Sequence, residues 1–204
     1  MSKPKVQSRE HPIIFTSDNV KLILDGKKWE TRRLLSPQPT WTSASWAWSP
    51  RKKLTLNKVQ AISHCPFGDP GDLLWVRETW KPEELEDTHV DGIRFMADNA
   101  FVPIEPTEAA AEAWVWVNGA AGGKLQGKWR PNIHMPKWAC RLRLKLNGVK
   151  LERVRDITEM GAQAEGMRNV EQYRAQWRQL HGKESWSQNP WVWVLKFSRL
   201  EGHA

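Results

Sequence analysis

Gly26-Lys27-Lys28-Trp29-Glu30-Thr31-Arg32-Arg33 follows an apolar, helix-like run (Val20, Leu22, Ile23, Leu24) and reads as the passage from that helix into a strand. Thr16 or Ser17 can cap the helix, which is predicted to run to about Leu24, and Gly26 stands just past its end as the C-terminal glycine. Trp29 to Leu35 is predicted as a strand, with Thr31 and Arg33 on one face and Glu30, Arg32 and Leu34 on the other. The passage therefore sets a hydroxyl three residues from an amine, with guanidinium groups beside it. That grouping suits an activated nucleophile or an anion clamp, while cations after a helix C-terminus also simply complement its dipole.

Upstream, Pro12 to Phe15 reads as a short strand, and residues 1–10 as a loose polar lead. Downstream, residues 36–64 hold prolines, serines, Trp41, Trp46, Trp48 and the basic run Arg51-Lys52-Lys53, and read as a long irregular loop. The dense turn signal at Gly68 to Asp72 introduces a buried strand, Leu73 to Trp80. Residues 81–132 mix charges, an alanine run and a glycine-rich passage (Gly119 to Gly123), and read as an elaboration or mobile cover, not an independent domain. In the last third, Arg141, Arg143 and Lys145 alternate with Leu142, Leu144 and Leu146, one face wet and the other buried. Asn147-Gly148 is a two-residue hairpin signal, and Val149 to Val154 would return as the partner strand. Thr158 can cap a short helix ending at Glu165-Gly166; residues 170–180 read as a second helix; Trp191 to Phe197 is a central strand by its β-branched and aromatic content. Short strands without regular strand–helix alternation predict an α+β fold: a small antiparallel, barrel-like sheet with flanking helices.

The 204 residues suit one domain with insertions at about 36–64 and 81–128. A net charge of +8 and a pI near 9.7 favour a polyanionic partner, RNA, DNA or a nucleotide. Fourteen tryptophans against one tyrosine supply both core and faces on which bases can stack. Two cysteines, Cys65 and Cys140, make no disulfide framework, no apolar run reaches bilayer length, and no signal-peptide pattern opens the chain, so a cytoplasmic setting is expected. His64-Cys65 and His134/Cys140 lack the close-spaced ligand pairs of a zinc site, so no metal or other cofactor is expected.

The Gly-basic-basic-x-x-Thr-Arg segment, the Pro-Gly-Asp turn before Leu-Trp-Val-Arg-Glu, the expected hairpin at Asn147-Gly148, Ala162-Gln163-Ala164-Glu165-Gly166 and the tryptophan-rich last strand, in that order, resemble an ASCH domain. Arg130 to Ala139 and Asn189 to Val194 are similar to phrases of phage or prophage versions, which would place the protein in a bacterial host cell. The resemblance implies a PUA-like β-barrel associated with RNA. Some small bacterial ASCH proteins are amidohydrolases that remove the acetyl group from N4-acetylcytidine with a lysine, a threonine and a glutamate. Lys28, Thr31 and Glu165 match those three positions. Arg32, Arg33, Trp75, Arg77, Glu78, Trp80, Arg130, His134 and Trp138 are the expected nucleic-acid or substrate contacts; the Arg77 and Glu78 charges equally suit structural ion pairing in a buried strand. Three readings stand: an amidohydrolase on a modified nucleoside, a non-catalytic module for RNA or modified bases, and a ribonuclease.

Overall fold

The computed structural model describes residues 8–41, 46–51, 54–104, 107–119 and 127–201. Residues 1–7, Lys52, Lys53 and most of the glycine-rich passage (120–126) lie outside them. In chain order the elements are β1 (Glu10–Ile14), α1 (Ser17–Leu24), β2 (Glu30–Leu34), β3 (Thr40–Trp41), β4 (Trp46–Arg51), β5 (Leu54–Leu56), α2 (Lys58–Ile62), β6 (Leu73–Arg77), β7 (Trp80–Leu85), β8 (Val90–Phe95), β9 (Phe101–Pro103), α3 (Glu108–Gly119), β10 (Arg143–Arg153), α4 (Glu159–Ala164), α5 (Val170–His181) and β11 (Trp191–Arg199). The class is mixed α+β. The largest sheet has the order β1-β6-β10-β11-β2, so β1 and β2 are its end strands and it does not close on itself among the described residues.

The chain divides into two compact units: 1–11, 22–74 and 144–199 form the first, 12–21, 75–143 and 200–204 the second. In the first, β10 and β2 each pair antiparallel with β11; Arg32 lies opposite Val194, which lies opposite Lys150. Glu30 and Arg32 therefore share a sheet face with Val192, Val194, Lys150 and Glu152. On the Val192/Val194 face, α4 and α5 bury Ile157, Ala162, Met167, Tyr173 and Trp177. Thr158 caps α4 by accepting from the Gly161 amide at 3.1 Å, and Asn169 caps α5 through the Gln172 amide at 2.9 Å. Both helices begin where the sequence placed them, because cap chemistry is local.

Two expectations fail here. Residues 36–64 are not an irregular loop: β3, β4 and β5 form a sheet, and α2 opens with a reciprocal Asn57–Gln60 capping box. Trp46 and Trp48 alternate as a strand requires and are buried, packing edge-on against Trp191 and Trp193 at 5.6 Å each. Those indoles fill core instead of backing a basic docking loop. Asn147-Gly148 also fails to turn. β10 runs straight through it, with a register irregularity between Leu146 and Gly148, because β11 offers a partner along the whole length.

The second unit has the antiparallel sheet β7-β8-β9, packed with α3 over Trp80, Ile93, Phe95, Trp114 and Met135. The segment from 81 is thus an ordered β-structure with its own core. The strand expected from Leu73 to Trp80 breaks at Glu78-Thr79, where β6 ends and β7 begins.

Candidate functional site

In the first unit, the α4 C-terminus is tied to the start of β2: the Trp29 amide donates to the Ala164 carbonyl at 2.9 Å. Gly166 (φ +84) then turns the chain back, and a Cβ there would lie 2.8 Å from Leu22 Cδ1. This junction brings Lys28 and Glu165 together across 137 positions of sequence. The Lys28 ammonium donates to the Glu165 carboxylate (Oε2) and, at 3.0 Å, to its carbonyl oxygen. Both residues are only 5% exposed, so the pair is held out of water. Burial pulls the Lys28 pKa below its ordinary value; Glu165 opposes that shift, and Arg33 and Arg32 add to it.

Arg32 is the hub of this region. It donates to Glu165 Oε1 at 3.4 Å, pairs with Glu30 at 2.9 Å and stands 3.6 Å from Glu152. Its guanidinium also lies 5.8 Å from the centre of the Tyr173 ring. The charge of Arg33 is felt by Glu165 and by His181. Lys28, Arg32, Arg33 and Glu165 are therefore one electrostatic group. Thr31, 4% exposed, sits opposite Leu195 in the ladder, and among the described residues no hydrogen bond joins its hydroxyl to Lys28 or Glu165. Two members of the expected trio meet; the third is near in sequence and buried without that contact.

The remaining sequence-derived residues belong to the second unit. Glu78 is 1% exposed and receives two hydrogen bonds from Arg141, at 3.1 and 2.8 Å, while Arg141 also grips Asp98 at 2.8 Å. Glu78 is accordingly a structural ion pair; burial still raises its pKa, against the Arg141 hydrogen bonds. Arg77 donates to the Ile133 carbonyl and lies 5.4 Å from the centre of Trp75. Trp80 is 1% exposed, pairs with the Arg130 backbone and lies under its guanidinium at 5.0 Å. His134 is exposed and Trp138 is 38% exposed. Among the described residues no group of three or more His, Cys, Asp or Glu side chains could hold a metal ion.

Sequence reading missed a pocket of about 110 Å³ in the first unit, on the sheet face that carries Glu30 and Arg32. Trp29, Lys150, Glu152, Asp156, Gly161 and Lys196 help line it. The alternation of Glu30 with Arg32 hinted at this face, but its partners arrive through strand pairing, which no local pattern records.

No family model matches the chain, and no curated protein does. A solved structure titled "Crystal structure of hypothetical protein PH0355" is similar over 94% of this chain and 99% of its own, at 12% identity and a TM-score of 0.40. No helix among the described residues is long and apolar enough to cross a membrane.

Proposed function

We propose that the chain is an ASCH-type protein of the PUA-like class that takes a modified nucleoside, free or in cytoplasmic RNA, and hydrolyses an exocyclic amide on it. The supporting observation is the buried contact between Lys28 and Glu165, which unites two residues of the trio from separate segments of the first unit, 22–74 and 144–199. In this reading the Thr31 hydroxyl adds to the acyl carbon, and its proton passes to the Lys28–Glu165 pair. The same proton leaves with the exocyclic amine as the C–N bond breaks, and water then splits the threonyl ester to release the acid. An ammonium has three N–H donors. Two of those on Lys28 go to Glu165, which leaves one to polarise the acyl oxygen. Burial favours the neutral amine, whose lone pair takes the threonine proton; the ammonium so formed is the species whose third N–H then faces the acyl oxygen.

The test is release of acetate from N4-acetylcytidine, followed by mass spectrometry across pH 6 to 9. Wild type is expected to turn over and Thr31→Ala to lose at least ~100-fold, the usual range for removing a working group. Absence of wild-type turnover across that range overturns the reading. A second reading, a binding module for RNA or modified bases without chemistry, is favoured by one observation: all three side chains are buried and Thr31 bonds to neither partner. It predicts retained substrate with no product in the same assay.

A further inference from the structure

We propose that Arg32 is a positioning residue of the Lys28–Glu165 pair: its guanidinium holds one oxygen of the Glu165 carboxylate, divides that charge between two cations, and meets no substrate. This deepens the amidase reading, on which only its effect on turnover rests.

Both Glu165 oxygens are taken, and by different cations. Oε2 accepts from the Lys28 ammonium, while Oε1 accepts from Arg32 Nη1 at 3.4 Å. Arg32 Nη2 serves other partners, 2.9 Å from Glu30 Oε1 and 3.6 Å from Glu152 Oε2. A guanidinium can do this because its nitrogens lie in one rigid plane and face several acceptors at once; an ammonium concentrates its charge at a point. Three elements fix that plane. Glu30 shares β2 with Arg32, Glu152 belongs to β10, and Glu165 is the C-cap of α4. The centre of the Tyr173 ring, on α5, lies 5.8 Å from the guanidinium; burial holds its phenol well above the ordinary range, so it adds no charge. Helix α4 comes this close because residue 161 is glycine: a Cβ there would stand 2.9 Å from Nη2. With 2% of its side chain exposed, Arg32 has its anions inside the protein.

The consequence falls on Lys28. A carboxylate given wholly to one lysine holds that lysine as the ammonium, through charge and hydrogen bond together. Arg32 weakens this hold twice, by drawing on Oε1 and by standing as a second cation near Lys28. Arg33 also opposes the ammonium, and its charge reaches His181 on α5. Lys150 and Lys196 stand beyond Glu152 and Glu30, paired with them and 48% and 58% exposed, so their charges are answered by those carboxylates and by water. In the amidase reading Lys28 must lose its proton before it can take that of Thr31. Arg32 therefore acts on the reaction through Lys28, without touching the reacting atoms.

NMR titration of isotope-labelled lysine side chains tests this, with Lys28→Met identifying the signal. Glu30→Gln/Arg32→Met removes Arg32 together with one carboxylate that it neutralises, so net charge is unchanged. Lys28 is expected to titrate at higher pH in this variant than in the wild type. With N4-acetylcytidine, the acid limb of kcat/KM should move the same way, a loss of ~10-fold at pH 7 that is recovered at high pH with KM unchanged. In the wild type, where no variant has to fold, the Arg32 Nη protons should give separate, slowly exchanging signals. A Lys28 titration that stays in place or moves to lower pH in the folded double variant overturns the proposal, as do averaged Arg32 signals or a loss carried by KM. If the wild type releases no acetate the amidase reading fails, and the Lys28 titration still decides the role of Arg32.

Discussion

Lys28 and Glu165 show what a single buried contact costs and gives. Removing one partner leaves an uncompensated charge at 5% exposure. Glu165→Leu should therefore lower stability by about 3 kcal/mol in urea unfolding, whereas Lys28→Met/Glu165→Leu should recover only part of that loss, because the apolar pair removes the stranded Lys28 charge but leaves Arg32 with Glu30 and without Glu165. Because burial depresses the Lys28 pKa, the unfolded state binds more protons than the folded one between the folded and ordinary lysine values. The Lys28 contribution is thus least favourable at low pH and improves as pH rises through that window. Lys28→Met should remove this part of the slope in a stability–pH series. The lysine, the glutamate and the basic cluster were legible from spacing and the family-like phrases. Their union was not, since it depends on a hydrogen bond between the Trp29 amide and Ala164, two residues unremarkable in the text.

At the scale of elements, the instructive case is β10. Asn-Gly is a strong local turn signal, but turn preference amounts to only about a kcal/mol or so, and the ladder with β11 spans Leu144 to Arg153. The longer pairing wins and reduces the signal to an irregularity at Asn147. Gly148 is not in the left-handed region, and a Cβ there would meet Lys196 Cβ at an ordinary 3.8 Å. Gly148→Ala is accordingly expected to be neutral or stabilising by up to ~1 kcal/mol in thermal or urea unfolding, where a two-residue hairpin would lose more than that. The helices α1, α4 and α5 were readable because caps and period lie within a few residues. The sheets β3-β4-β5 and β7-β8-β9 were not: their short strands pair with neighbours across polar, proline-bearing sequence that resembles loop.

For the whole molecule, the net charge of +8 predicts RNA affinity that falls steeply with salt. A footprint of ~4 phosphates would cost ~100-fold between 50 and 200 mM monovalent salt, readable by filter binding or fluorescence anisotropy. A flat salt profile would remove RNA backbone contact from consideration. The mixed α+β class was legible from the strand and helix patterns, while the division into two units was hidden by interleaving: the chain changes unit at 11/12, 21/22, 74/75, 143/144 and 199/200. That connectivity has a practical edge. Neither half can be obtained by trimming an end, and a polypeptide still growing on the ribosome must wait for residues 144–199 before the first unit owns all its strands. In fragments ending near 143 the first-unit segment 22–74 lacks β10, α4, α5 and β11 and should remain unfolded and protease-sensitive, so genetic dissection of that unit belongs to point substitutions, not deletions.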